Sequence, residues 1–166
     1  MLYFVLAAVL VAADQLVKYL VSANIPLGGS VPFLPHIMDL TYVQNTGCAF
    51  SLLEEHTWLL TAVSAIMSVV LVVALVRDFF KHPLGKTVLS LVLAGAVGNL
   101  IDRALFGYVI DMFRTLFMNF AVFNVADIFV VVGGFAAALY YLFLEPKLEH
   151  PAQPQEENHD KTDADC

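Results

Sequence analysis

Thr87-Val-Leu-Ser-Leu-Val-Leu-Ala-Gly-Ala-Val-Gly-Asn-Leu-Ile-Asp-Arg-Ala-Leu105 decides the fold. It starts as a run apolar enough to sit in hydrocarbon and closes on Asn99, Asp102 and Arg103. A helix needs about 20 mostly apolar residues to cross a bilayer core. Three other segments also meet that need, roughly 2–22, 57–76 and 124–144. The expected fold is therefore an all-α membrane protein, a four-transmembrane-helix bundle. Within 87–105, Gly95, Asn99 and Arg103 recur at i, i+4 and i+8 and share one face. Gly95 and Gly98 allow a second helix to come close, and Ala94-xxx-Gly98 is a small-xxx-small pattern. Helix packing with a snorkelling arginine explains the glycines fully. It explains Asn99 and Arg103 on the same face less well.

Composition agrees with a membrane protein. The chain has 166 residues, 60% hydrophobic and 14% charged, where a soluble domain has about 45–50% and about 25%. The net charge of −7 sits mainly in the last stretch, where Glu145, Glu149, Glu156, Glu157, Asp160, Asp163 and Asp165 face only Lys147 and Lys161. The bundle is then nearly neutral, which excludes a basic nucleic-acid surface. Residues 1–145 read as one membrane domain and 146–166 as an acidic, disordered cytoplasmic tail. Two cysteines, Cys48 and Cys166, are too few for a disulfide framework. The five histidines lack ligand spacing, so no metal is expected. The N-terminus has no basic region and no small-residue cleavage site, so 2–21 reads as a retained helix.

Basic residues set the expected orientation. Arg77, Lys81 and Lys86 lie between spans two and three, while 24–56 carries no Lys or Arg. The positive-inside rule puts 77–86 in the cytoplasm. Both termini are then cytoplasmic, and the loops 23–56 and 106–123 face outward. Lys18, Arg103 and Arg114 break the rule and need a local reason. The first loop is Pro/Gly-rich over 25–35, and then 37–43 and 48–53 mix β-branched and aromatic residues around Asn45-Thr-Gly47. This suits a small extracytoplasmic β-element between helices 1 and 2, turning at Asn-Thr-Gly.

Charged groups inside a bilayer are costly, by about 2.5–3.5 kcal/mol at the centre on insertion scales, so each requires an account. Asp14 and Lys18 are four apart and can pair, either as a structural tie or to orient a substrate or loop. Asn124 and Asp127 share the first turn of span four, and capping explains one of them more easily than both. Asp111, between Ile110 and Met112, is either a solvated loop residue or part of a built site. Two carboxylates brought together resist joint ionisation and share a proton, which suits one to act as base and the other as acid.

Five stretches in order carry a resemblance: Asp14-Gln-Leu-Val-Lys18, Asn45-Thr-Gly-Cys-Ala-Phe-Ser51, Gly95-Ala-Val-Gly-Asn-Leu-Ile-Asp-Arg103, Val109-Ile-Asp111 and Phe123-Asn-Val-Ala-Asp127. Together they resemble lipoprotein signal peptidase, also called signal peptidase II, over nearly the whole chain to about residue 140. The resemblance implies Asp111 and Asp127 as the catalytic pair. It implies that Asp14, Lys18, Asn45, Gly47, Gly95, Asn99, Arg103, Asn124 and Ala126 build or support the site. It also implies a diacylglyceryl prolipoprotein substrate cut just before its lipid-bearing cysteine, in the bacterial cytoplasmic (inner) membrane. The enzyme would be a monomer among membrane lipids and need no cofactor. Asp14→Asn and Asp102→Asn are expected to be milder than loss of either catalytic aspartate. Cys48 stands where alanine is common and Met112 where phenylalanine is common, and neither change removes a catalytic group.

Three rival readings remain to be weighed. Ser22 and Lys18 are spaced as a serine–lysine dyad. Cys48 with His36 or His56 would make a thiol site. A small proton-coupled membrane transporter would use membrane acids as relays. The two other protease readings leave the aspartates unexplained, and the transporter reading lacks acids in the inner halves of spans two and four.

Overall fold

The structure is a computed structural model that describes residues 1–47 and 57–148. Four helices are long and apolar enough to cross a membrane. They are α1 (Leu2–Asn24), α2 (Thr57–Val76), α3 (Pro83–Phe106) and α4 (Val125–Leu139), and α4 continues through a π-helical turn at Tyr140–Leu144. A short helix, α5 (Glu145–Leu148), follows. The chain is thus still helical just past the expected boundary at 145, while the rest of the expected tail, 149–166, lies outside the described residues.

The central helix is α3, which packs on α1, α2 and α4. It starts at Pro83, earlier than the expected 87, because proline suits the first helical position and His82 Nδ1 accepts from Leu84 N–H at 3.2 Å. It stops at Gly107, whose φ of 78° is the left-handed conformation that ends many helices. One core cluster, with Leu71, Leu75, Leu89, Leu93 and Tyr140, fills the end near the α2–α3 turn. There Phe80 meets the Tyr140 ring edge-on at 4.8 Å. Large apolar side chains such as Val69, Val73, Val131 and Phe135 point outward, as helices in lipid require.

A three-stranded antiparallel sheet caps the other end. Strands β1 (Ser30–Leu34), β2 (Met38–Asn45) and β3 (Val109–Thr115) lie in that order. Two features differ from the sequence expectation. A β1–β2 hairpin that the sequence did not suggest turns at 35–37, where His36 has φ 62° and Ile37 N–H bonds Leu34 O, while the turn expected at Asn45-Thr-Gly leads into residues outside the described ones. Part of the Pro/Gly-rich stretch is itself strand β1. It tolerates Pro32 because it is an edge strand with an irregularity between Pro32 and Leu34. The strand expected over 48–53 lies outside the described residues. The partner of β2 comes instead from the second loop, with Asp111 opposite Val43. Asp111 is therefore a strand residue held by a ladder. A second cluster, Val21, Ile25, Ile110 and Met112, packs this sheet onto the end of α1.

Candidate active site

Asn124 organises the polar centre. As the N-cap of α4 its side-chain oxygen accepts from Asp127 N–H at 2.9 Å, and its own N–H donates to Asp127 Oδ2 at 3.1 Å. This reciprocal capping box satisfies two helix-end donors. Capping therefore accounts for both residues together, contrary to the sequence weighing. Capping also leaves the Asn124 amide nitrogen aimed inward, where it donates to Asp111 Oδ1 at 2.7 Å and to Asn99 Oδ1 at 3.1 Å. One asparagine thus touches both carboxylates.

Each carboxylate has a second donor. Asn45, at the end of β2, donates to Asp111 Oδ2 at 2.8 Å. Asn99, on α3, donates to Asp127 Oδ1 at 2.7 Å. Asp111 is 2% exposed and Asp127 is half-buried. Burial pushes the Asp111 carboxyl up to about 6. The Asn45 and Asn124 hydrogen bonds and the Lys18 charge oppose this shift, and the Asp127 charge adds to it.

Beneath the pair lies a buried ionic cluster. Lys18 Nζ sits 2.9 Å from Asp14 Oδ2, 2.9 Å from Asp102 Oδ2 and 3.0 Å from Asn99 Oδ1. All three charged residues are at most 1% exposed. Gln15 donates to Asp102 Oδ1 at 2.9 Å and to Gly98 O at 3.1 Å. Lys18, which breaks the positive-inside pattern, is thereby neutralised locally. Its donors are spent on these partners, and Ser22 hydroxyl bonds Tyr19 O, so the two do not form a nucleophilic dyad. His36 is in the hairpin turn, and Cys48 and His56 lie outside the described residues.

The remaining expected residues join the same centre. Ala126 N–H donates to Asp14 Oδ1 at 2.8 Å. Gly95 lies against the Ala126 carbonyl, where a Cβ would overlap it. Arg103 donates to Gly47 O at 3.3 Å, and Gly47 N–H bonds Asn45 Oδ1 at 2.9 Å. Sequence reasoning named Asp102 and Gln15 but placed neither among the site residues. Asp102 follows Gly98 by four positions, so a face search started from Gly98 would have placed it there.

A cavity of about 570 Å³ opens beside the carboxylates. Asn99, Asp111, Asn124 and Asp127 form its polar end, and Val63, Met67 and Val130 are among its apolar walls. Such a shape suits a ligand with a greasy part and a polar reacting centre.

A family profile described as "Signal peptidase (SPase) II" matches residues 6–143. The lipoprotein signal peptidase of Enterococcus faecalis is 45% identical over 143 residues, covering 86% of this chain and 89% of that protein. That of Brevibacillus brevis is 40% identical, covering 80% and 89%. A solved bacterial membrane enzyme superposes with a TM-score of 0.80 at 27% identity, covering 92% of this chain and 93% of its own. A second does so at 0.77 and 29%. With its four apolar helices, the chain is thus a multi-pass membrane protein of the aspartic peptidase class. Within that class it belongs to the signal peptidase II family.

Proposed function

We propose that the chain removes the signal peptide from diacylglyceryl-modified bacterial prolipoproteins, with Asp111 and Asp127 as the catalytic pair. The single observation that carries this is Asn124, which hydrogen-bonds both carboxylates at the polar end of an apolar cavity. Asp111, the more deeply buried, holds the proton of the pair. Ionised Asp127, at the positive end of α4, takes a proton from a bound water. The water oxygen bonds to the scissile carbonyl carbon, and Asp111 gives its proton to the developing oxyanion. As the C–N bond breaks, Asp127 passes its proton to the leaving nitrogen, and Asp111 recovers one from the diol. The apolar cavity walls take the acyl chains, which holds the peptide bond in register. Asn99 and Arg103 face the same cavity and suit peptide or ester oxygens.

In this reading the 77–86 turn and both termini are cytoplasmic, and the site lies near the outer face of the cytoplasmic membrane. The enzyme acts as a monomer. A transporter gains no support, because the acids and Lys18 hold one another in a closed cluster at one end of the bundle.

The test uses purified enzyme and a diacylglyceryl prolipoprotein, with mass spectrometry locating the cut. Asp111→Asn and Asp127→Asn each keep their size and insertion but lower the rate by about 10³-fold or more. The double variant is hardly slower than either single one, since the pair acts as a unit. Near wild-type cleavage by either single variant refutes the pair.

A further inference from the structure

The buried ions below the site bear on its geometry through two backbone bonds. Asp102 Oδ2 accepts from Ile110 N–H at 3.1 Å, and Ile110 directly precedes Asp111. Asp14 Oδ1 accepts from Ala126 N–H at 2.8 Å, and Ala126 directly precedes Asp127. Each buried carboxylate therefore holds the amide just before one member of the pair. Lys18 Nζ joins those two carboxylates, at 2.9 Å from each, and reaches Asp127 through Asn99. The strand bearing Asp111 and the helix bearing Asp127 already meet on one side, through the Phe113–Phe123 backbone bonds and the Asn124 bond to Asp111, and the buried ions tie the same two segments from the other side. We infer that Asp14, Lys18 and Asp102 form a spacer that fixes the separation of Asp111 and Asp127, with Asp102 a positioning residue for the Asp111 strand. This rests on the catalytic role proposed for that pair.

The alternatives for these residues are weaker. A group that only glued α1 to α3 would need Lys18 and one acid. The second acid adds burial cost without adding charge balance. With Asp102 as the acid that meets Lys18 across α1 and α3, that second acid is Asp14, and its geometric return is the backbone bond to Ala126 in the first turn of α4. None of the three ions is among the residues lining the cavity, so substrate binding gives no reason for them. Gln15 supports the spacer by bonding Asp102 and the Gly98 carbonyl.

Asp102→Asn and Asp102→Ala separate positioning from simple support. An asparagine has one oxygen where Asp102 Oδ2 serves both Lys18 and the Ile110 amide, and its NH₂ opposes whichever donor it faces. An alanine holds neither. The readout is the single-turnover rate constant with enzyme in excess, which does not depend on the fraction of molecules that fold. The expected loss is about 10-fold for Asp102→Asn and about 100-fold for Asp102→Ala, the scale of a misplacement near 1 Å. Substrate affinity, measured with Asp127→Asn in the background to prevent turnover, stays within about twofold, since the cavity is untouched. Should Asp102→Ala not fold, Asp102→Asn alone decides the matter. Wild-type single-turnover constants in Asp102 variants, beside an inactive Asp111→Asn control, overturn the spacer and leave the catalytic pair standing. An active Asp111→Asn control overturns the pair itself.

Discussion

At Asn124 one side chain meets Asp111, Asn99 and the Asp127 amide at once. Aspartate there would keep the cap but would set a carboxylate oxygen against Asp111 Oδ1. Asn124→Asp should therefore insert and fold, yet cleave prolipoprotein at least about 100-fold more slowly, because Asp111 loses the amide donor and the new carboxyl competes for the proton of the pair. The pH profile tests the same centre. If Asp111 carries the proton, free enzyme is competent only while that carboxyl stays protonated. The alkaline limb of kcat/KM should then fall near pH 6. The limb for kcat should lie higher, since bound acyl chains exclude more water. Asn45 donates to Asp111 and favours its charged form. Asn45→Ala removes that preference, so the limb should move to higher pH. A limb unmoved in Asn45→Ala would assign the proton elsewhere.

Helix α3 meets α4 and the α1 acid through two glycines. A Cβ on Gly98 would stand 2.7 Å from Asp14 Oδ2 and 3.1 Å from Ala126 Cβ. A Cβ on Gly95 would stand 2.7 Å from Val130 Cγ2 and against the Ala126 carbonyl. Gly134 has nothing within 4 Å. Gly95→Ala and Gly98→Ala should each cost about 1–3 kcal/mol by overpacking, read as a lower Tm in detergent, and Gly134→Ala should cost nothing. The need for close approach was legible at Gly95 and Gly98 from spacing alone. Spacing reveals a face but not its neighbour, so Asp14 and Ala126 as the groups in contact were not. Strand β3 was hidden for a related reason. Val109, Ile110, Asp111 and Met112 are all buried, so the stretch lacks the alternation that marks a half-exposed strand. Its partner β2 also lies more than sixty positions away. At Asn45-Thr-Gly the chain does bend, with Gly47 N–H bonding Asn45 Oδ1, and the strand expected after it lies outside the described residues. Four spans, by contrast, are visible to any window wide enough to measure them.

For the molecule as a whole, reporter fusions after residues 82 and 150 should report cytoplasm, and those near 40 and 115 the outer side. A fusion at 82 reporting the outer side would invert the proposed placement of the site. Prolipoprotein lacking diacylglycerol should be cut poorly or not at all, because the apolar cavity then has nothing to hold. Equal cleavage of both forms would remove the lipid from the account. The bonds that complete the centre join distant parts of the chain: Asp14 to Ala126, Lys18 to Asp102, Asn45 to Asp111. A ribosome delivers these partners in order. The first helix therefore enters the membrane with Asp14 and Lys18 facing only each other, and it waits for the third helix to shelter them. The β1–β2 hairpin likewise emerges well before its third strand. A nascent chain shorter than 127 residues lacks one carboxylate of the proposed pair, so cleavage has to wait for the start of the fourth helix. Two fragments made separately, 1–78 and 79–166, carry complementary halves of the centre and should regain cleavage only when co-expressed.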